Sequence, residues 1–274
     1  MSVSSVKVYL FAVRRLNIVE GHGNPLQDCM RVRQALRALE IQADPPHRKL
    51  PITLEIMQKI HALISSSPQD KCMWAAMTVA FFGCFRASEL TVPARSPYNH
   101  TLHISNADVH PRIADKSVTI QVKHSKTDKL NKGFSVIVGC SGFIVCGHCA
   151  LLDFLAWKQL HSSTLPTDPF FILDGKALCK DVFVNNTRIY LALLGFCSKD
   201  FSGHSFRAGS ATTAAAAGLA DWEIKLLGRW TSEAYQSYIR APGRILTSFA
   251  HRMCASTSLG SVFNYRAPYI ANMI

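Results

Sequence analysis

No apolar run in this chain is long enough to cross a bilayer. The longest, Met73 to Phe85, falls short of the roughly 18–20 residues that a spanning helix needs, so no membrane partner is expected. A leader peptide is not expected either, because the VYLFAV stretch is brief and meets Arg14 and Arg15 at once. Acidic residues are scarce. Eighteen Asp and Glu stand against 30 Lys and Arg, a formal charge of +12 over 274 residues, which points to a polyanionic partner with nucleic acid foremost. The chain lacks internal repeats and low-complexity runs, and its 48% hydrophobic and 18% charged content belongs to a folded protein. Nine cysteines, an odd number scattered through apolar segments such as those of Cys72, Cys84 and Cys197, read as reduced and intracellular. A second C-x-x-C is also missing. Cys146-Gly-His-Cys149, with Cys140 upstream, tempts a zinc reading, but a closed site needs four placed ligands. The cysteines are expected to open the helix ALLDFLAWKQL, and no metal is expected. His100, His103 and His110 are too loosely spaced to argue a site.

What is present reads as helices with one small sheet. Residues 4–16 carry Val6, Tyr9, Leu10, Val13 and Leu16 at helical spacing, and a second helical pattern runs from about Leu26 to Leu39. Arg14 and Arg15 on the first, with Arg31 and Arg33 on the second, are either solvated faces or DNA-backbone contacts. Residues 43–51, ADPPHRKLP, form the best linker, since paired prolines bar helix continuation; a boundary near residue 48 follows. Thr53 is an N-cap candidate for a helix to about Ile64 with Ile56, Ile60, Leu63 and Ile64 inward. Met73 to Phe85 is apolar all round, as a central helix would be. It ends in FRASEL, where Arg86 is either paired with Glu89 or aimed into a cleft. Val118, Ile120 and Val122, then Phe134, Val136 and Val138, alternate with polar residues, predicting a β-hairpin. The turn between them holds Lys126 and Lys129, with Lys123 at its base, and Lys123 and Lys129 are expected DNA contacts. Asp174-Gly175 marks a turn and Asp181 to Leu194 a helix closed by Gly195. The fold class is therefore mainly α with a small antiparallel sheet (α+β).

The stretch Gly203 to Arg240, GHSFRAGSATTAAAAGLADWEIKLLGRWTSEAYQSYIR, gathers reactive groups. His204 and Arg207 stand three apart and would share a helix face. Gly218 and Gly228 end elements, Arg229-Trp230 follow, and a helix is expected to carry Tyr235 and Tyr238. A nucleophile, an acid/base group and an anion clamp are what phosphoryl transfer requires. Here the chain resembles the tyrosine recombinases, the phage-integrase and Cre-like DNA-breaking and rejoining family. FRASEL is similar to the family's presentation of its first catalytic arginine, and S-K-T after a strand to its lysine-bearing hairpin.

The resemblance implies a catalytic set of Arg86, Lys126, His204, Arg207 and Tyr238, supported by Glu89. Tyr238 would attack a DNA phosphate and form a 3′-phosphotyrosine link, so no cofactor is needed. Many relatives place histidine or tryptophan directly after the glycine and nine residues before the nucleophile. Here Arg229 keeps that spacing and Trp230 the side-chain identity, and either can fill the slot. G-R-W followed by Y-I-R resembles the recombinases of eukaryotic DIRS-like retroelements and Cryptons, which implies a nuclear protein. Tyr235 is the runner-up nucleophile.

The resemblance covers roughly residues 50–255. Residues 1–48 match only the last helices of the family's core-binding domain with its linker, 49–255 the catalytic domain, and 256–274 a flexible tail. Most of that clamp is thus expected to be missing, as in a fragment, a degenerate copy or a chain that borrows the rest. The expected partner is double-stranded DNA, bound weakly by the monomer with steep salt dependence, with self-association into a dimeric or tetrameric synapse. The competing expectations are a domesticated, non-catalytic DNA-binding protein and a type IB topoisomerase-like relaxase.

Overall fold

A computed structural model describes residues 2–43, 48–126, 128, 130, 132–161 and 165–240. The chain divides into two compact units, Met1–Arg48 and Lys49–Ile274.

The first unit is a pair of helices, α1 (Val3–Val19) and α2 (Met30–Gln42). α2 starts later than its apolar pattern suggests, because the Asn24 side chain and backbone accept the N–H groups of Leu26 and Gln27 and hold a turn there. Lys7 pairs with Glu40 at 2.5 Å. The expected inward face does not become buried: no residue of either helix is, and Tyr9, Val13 and Leu16 are all exposed. Two helices alone cover no more than a stripe of each other.

The second unit is built round α4 (Pro68–Phe82). Ser67 caps its start by accepting the Asp70 N–H, and residues 72–81 are buried on every face. α3 (Leu54–His61) ends three residues short of the periodic pattern, burying Met57 and Ile60 while Leu63 stays exposed. α6 (Gly147–His161), α7 (Lys180–Leu193) and α8 (Ser205–Ala216) pack against α4. The predicted hairpin is present as β2 (Ser117–Val122) and β3 (Phe134–Gly139), and β1 (Val109–Arg112) joins it in an antiparallel order β1-β2-β3. The register pairs Ile120 with Val136 and Val118 with Val138. All four are buried, while Ser135 and Ile137 face out. A second small hairpin, β4 (Ile172–Leu173) and β5 (Lys176–Ala177), turns at Asp174-Gly175, both residues with positive φ. α9 (Asp221–Gly228) and a 3₁₀ helix, Glu233–Ser237, end the described chain. The tyrosine-bearing segment is therefore 3₁₀ rather than α. The tail expected over residues 256–274 lies outside the described residues.

One buried cation was not foreseen. Lys158 is 1% exposed and donates to the carbonyls of Pro169 and Phe170 and to Asn106 Oδ1. Burial pushes its pKa down to about 8. The loop leading to β4 is hung from this ammonium.

Candidate active site

The site forms where α4 stops. Its last turn leaves carbonyls without helical partners, and the macrodipole makes that end negative. The chain then turns through Cys84, a non-glycine residue at φ 50°. Such a conformation is costly without a surrounding reason. The reason is two arginines: the Cys84 carbonyl accepts from Arg207 Nη1 at 2.6 Å and from Arg229 Nη2 at 3.1 Å, and the Gly83 carbonyl accepts from Arg229 Nη1 at 2.8 Å.

Two residues on, α5 (Ala87–Leu90) begins with Arg86 at its N-cap. Glu89 reaches back to accept the Arg86 backbone N–H at 2.9 Å and Arg86 Nη1 at 2.6 Å. Ser125, adjacent to Lys126, donates to Glu89 at 2.8 Å and accepts from Arg86 at 3.2 Å. Glu89 also meets Arg229 Nη2 at 3.4 Å. Burial works against its charge, but the Arg86 N–H, the Ser125 hydroxyl and the Arg229 cation outweigh it and hold the carboxyl below its ordinary range. The two readings of Arg86 are thus both true: it is paired with Glu89, and it lines a cleft of about 480 Å³ with His204, Gly203, Ser88 and Lys180.

His204 and Arg207 flank the start of α8 but do not share its exposure. His204 is exposed, whereas Arg207 is 0% exposed and its Nε finds no partner among the described residues. The remaining Arg207 nitrogen, Nη2, donates to the Gly228 carbonyl. Desolvation of the ring, with Lys180, Arg86, Arg207 and Lys126 around it, holds the His204 imidazole below its usual range. As the residue is open to solvent by area, we attribute the shift chiefly to those four cations. Lys126 is itself exposed.

Trp230 lies on Arg207, its ring centroid 4.2 Å from the guanidinium carbon, and 5.6 Å from the ring of Tyr238. That approach needs Gly228: a Cβ there would sit 1.7 Å from Trp230 Cζ3. Tyr238 follows the 3₁₀ helix, its carbonyl accepting from Thr212 Oγ1 at 3.2 Å. Tyr235 is 1% exposed and packs into a small cluster with Ala211, Ala214 and Ile224.

No family model matches the chain. The chain is 29% identical over 203 residues to an integrase/recombinase XerD homolog of Selenomonas ruminantium, which aligns 71% of this chain with 54% of that protein. It therefore spans about half the length of this curated relative. Among solved structures, the XerA recombinase superposes with a TM-score of 0.54 at 13% identity, covering 92% of this chain and 83% of that one. The integrase of transposon Tn1549, solved in complex with circular intermediate DNA, gives 0.58 at 9% identity, covering 93% and 79%. The fold is that of a tyrosine-recombinase catalytic domain. Together with the curated relative it supports the tyrosine recombinase/integrase family.

Within the tyrosine-recombinase fold, the two residues contesting one slot are separated by geometry. Arg229, at φ 57°, turns inward between Phe85 and Phe134, its fork spent on Gly83, Cys84 and Glu89. Trp230 faces Arg207 and Tyr238. Lys123 is not the free DNA contact expected of it, because it pairs with buried Asp108 at 2.5 Å and donates to the His100 carbonyl at 2.6 Å. Lys123→Ala is expected to cost about 1–3 kcal/mol in chemical denaturation, the range for a buried charge losing a partner, with unchanged DNA affinity. A fall in affinity without a fall in stability would restore the DNA-contact role. Lys129 lies outside the described residues. Arg14, Arg15, Arg31 and Arg33 are exposed on the first unit, with Arg33 donating to the Gln27 carbonyl. Ser125, Thr212, Lys180 and the Gly83–Cys84 carbonyls were not foreseen. Of these, only Ser125 had a signal, its place beside Lys126.

Proposed function

We propose that this chain carries the catalytic half of a site-specific recombinase that cuts and rejoins DNA through a 3′-phosphotyrosine. The observation that carries it is a cleft lined by Arg86 and His204, with Lys126 beside the Ser125 that Arg86 holds, and Arg207 and Tyr238 both against the Trp230 ring. The Tyr238 phenol attacks the scissile phosphorus, its proton passing to His204, whose depressed pKa keeps the imidazole neutral and able to accept it. The bond to the 5′ oxygen breaks, and Lys126 gives that oxygen its proton. Arg86, on the cleft, stabilises the charge of the pentavalent state directly, and Arg207 does so once the incoming phosphate draws its guanidinium from the Cys84 and Gly228 carbonyls, each worth about 10²–10³ in rate. Trp230, rather than Arg229, fills the slot beside the phosphate. Attack by another 5′-hydroxyl reverses the step and exchanges strands, with no cofactor.

The basic helices of the first unit, with Arg14, Arg15, Arg31 and Arg33, represent the end of a core-binding domain and contact the DNA backbone. Strand exchange pairs sites, so the chain self-associates on DNA. The G-R-W and Y-I-R strings favour an element of the DIRS or Crypton kind acting in a nucleus.

Nicked duplexes from a randomised pool, incubated with the chain and resolved under denaturing conditions, test the reading by the covalent adduct they trap. DNA binding without an adduct would assign a non-catalytic DNA-binding protein. Relaxation of supercoiled plasmid without recombinant product would assign a relaxase.

The pH profile tests His204. Its folded pKa lies below the ordinary 6.5, so adduct formation is expected to persist below that value before failing. Lys180→Ala removes one depressing cation and should move the acid limb to higher pH. For stability the sign is the same: the unfolded chain binds the proton first, so this group weakens the fold as pH falls through 6.5.

A further inference from the structure

The sequence offered three metal ligands in Cys146-Gly-His-Cys149 and left Cys140 apart. The fold brings it in. β3 ends at Gly139, the chain loops through residues 140–146, and α6 begins at Gly147. The ligand atoms of Cys140, Cys146, His148 and Cys149 all lie within 4.8 Å of one another. Cys140 Sγ is 3.7 Å from Cys146 Sγ and 3.9 Å from Cys149 Sγ, and Cys149 Sγ is 4.0 Å from His148 Nδ1. A disulfide would set two sulfurs about 2.05 Å apart. Thiolates around a tetrahedral zinc, each about 2.3 Å from the metal, stand about 3.8 Å apart.

We propose that Cys140, Cys146, His148 and Cys149 form a structural zinc site that staples the end of β3 to the start of α6. The surroundings are built for it. Cys146 Sγ accepts two backbone N–H groups, from Ser141 and Cys149, each at 3.4 Å, the outer-shell donors that favour a thiolate ligand. Cys146 and His148 are buried, while Cys140 and Cys149 are exposed and leave the ion an entry path. Four protein ligands close the coordination sphere, so the site holds structure and offers no open position for catalysis. Loading releases the three thiol protons to solvent and changes no oxidation state.

The staple has a task. Gly147 lets α6 press on β3, since a Cβ there would be 2.8 Å from Val138 Cγ1. Cys140 donates its N–H to the Lys116 carbonyl and so ties in the β1–β2 turn. The other end of β3 is Phe134, which covers Arg229. A zinc at one end of this strand therefore braces the hairpin that carries Lys126 at the other.

The full chain, purified under reducing conditions with zinc present and without DNA, is expected to hold about one zinc per molecule by elemental analysis. Exchange to cobalt(II) should give the visible bands of a tetrahedral thiolate site. Cys146→Ser with Cys149→Ser should lose the metal, and Cys197→Ser, an exposed cysteine outside the cluster, should keep it. Chelation of the unaltered chain should lower Tm by roughly 5 °C or more, a readout that survives if the double variant does not fold. Zinc-free protein from a zinc-replete preparation, cobalt spectra of octahedral oxygen coordination, or a disulfide within the cluster would overturn the proposal. The outcome is independent of strand cleavage, because every measurement is made without DNA.

Discussion

Tyr238→Phe is expected to abolish the covalent DNA adduct while leaving the fold and DNA binding in place. The substitution removes a single oxygen. The ring keeps its neighbours, Trp230 at 5.6 Å and the cluster of Ala211, Ala214 and Ile224, and the Thr212 bond is to the backbone carbonyl. A stability change beyond about 1 kcal/mol is therefore not anticipated. The reaction loses its nucleophile, for which a fall of about 10⁴-fold or more is ordinary. Tyr235→Phe is the control. That residue is 1% exposed inside the cluster with Ala211, Ala214 and Ile224, against which Tyr238 is only partly buried, and its variant should still form adduct. Adduct from Tyr238→Phe, or its loss only in Tyr235→Phe, would move the nucleophile and dismantle the proposed chemistry.

How much of this could be read from the residues alone follows the reach of each interaction. The Arg86–Glu89 unit was legible because its partners are three apart and fall at a helix start. The hairpin was legible because strand alternation is local, and Asp174-Gly175 because positive φ has a residue signature. Helix α4 declared itself by being apolar all round. Interactions across the fold left no such mark. Nothing local says that Arg229 will turn inward to the Gly83 and Cys84 carbonyls, 146 and 145 positions away. Nor does it say that Lys123 will be taken by Asp108. Spacing put His204 and Arg207 on one face, yet the N-cap position of His204 leaves it open to solvent and the third helical residue points into the core. Cys140 joins the CGHC string only because the loop after β3 folds back. A pattern search along the chain meets three ligands where the fold supplies four.

The two arginines of the proposed clamp should separate under substitution. Both Arg86→Ala and Arg207→Ala are expected to lower adduct formation by about 10²–10³. Their effects on stability differ because their partners do. Arg86 leaves behind a Glu89 that still accepts the residue-86 backbone N–H and Ser125 and still faces Arg229, so the carboxylate remains compensated and the loss is about 1 kcal/mol. Arg207 is 0% exposed and supports the Cys84 and Gly228 carbonyls and the Trp230 ring. Its removal strands the buried Gly228 carbonyl at about 1–3 kcal/mol, leaves the Cys84 carbonyl only its Arg229 bond, and opens a cavity beneath the indole. A total of about 3–5 kcal/mol follows, seen as a Tm lower by roughly 10 °C or more. Arg207→Lys keeps the charge but carries one ammonium where two nitrogens are needed, so it should recover part of the stability and little of the rate. Equal thermal losses for the Arg86 and Arg207 variants would mean that the Cys84 and Gly228 carbonyls do not depend on Arg207. The turn at Cys84 would then need another cause.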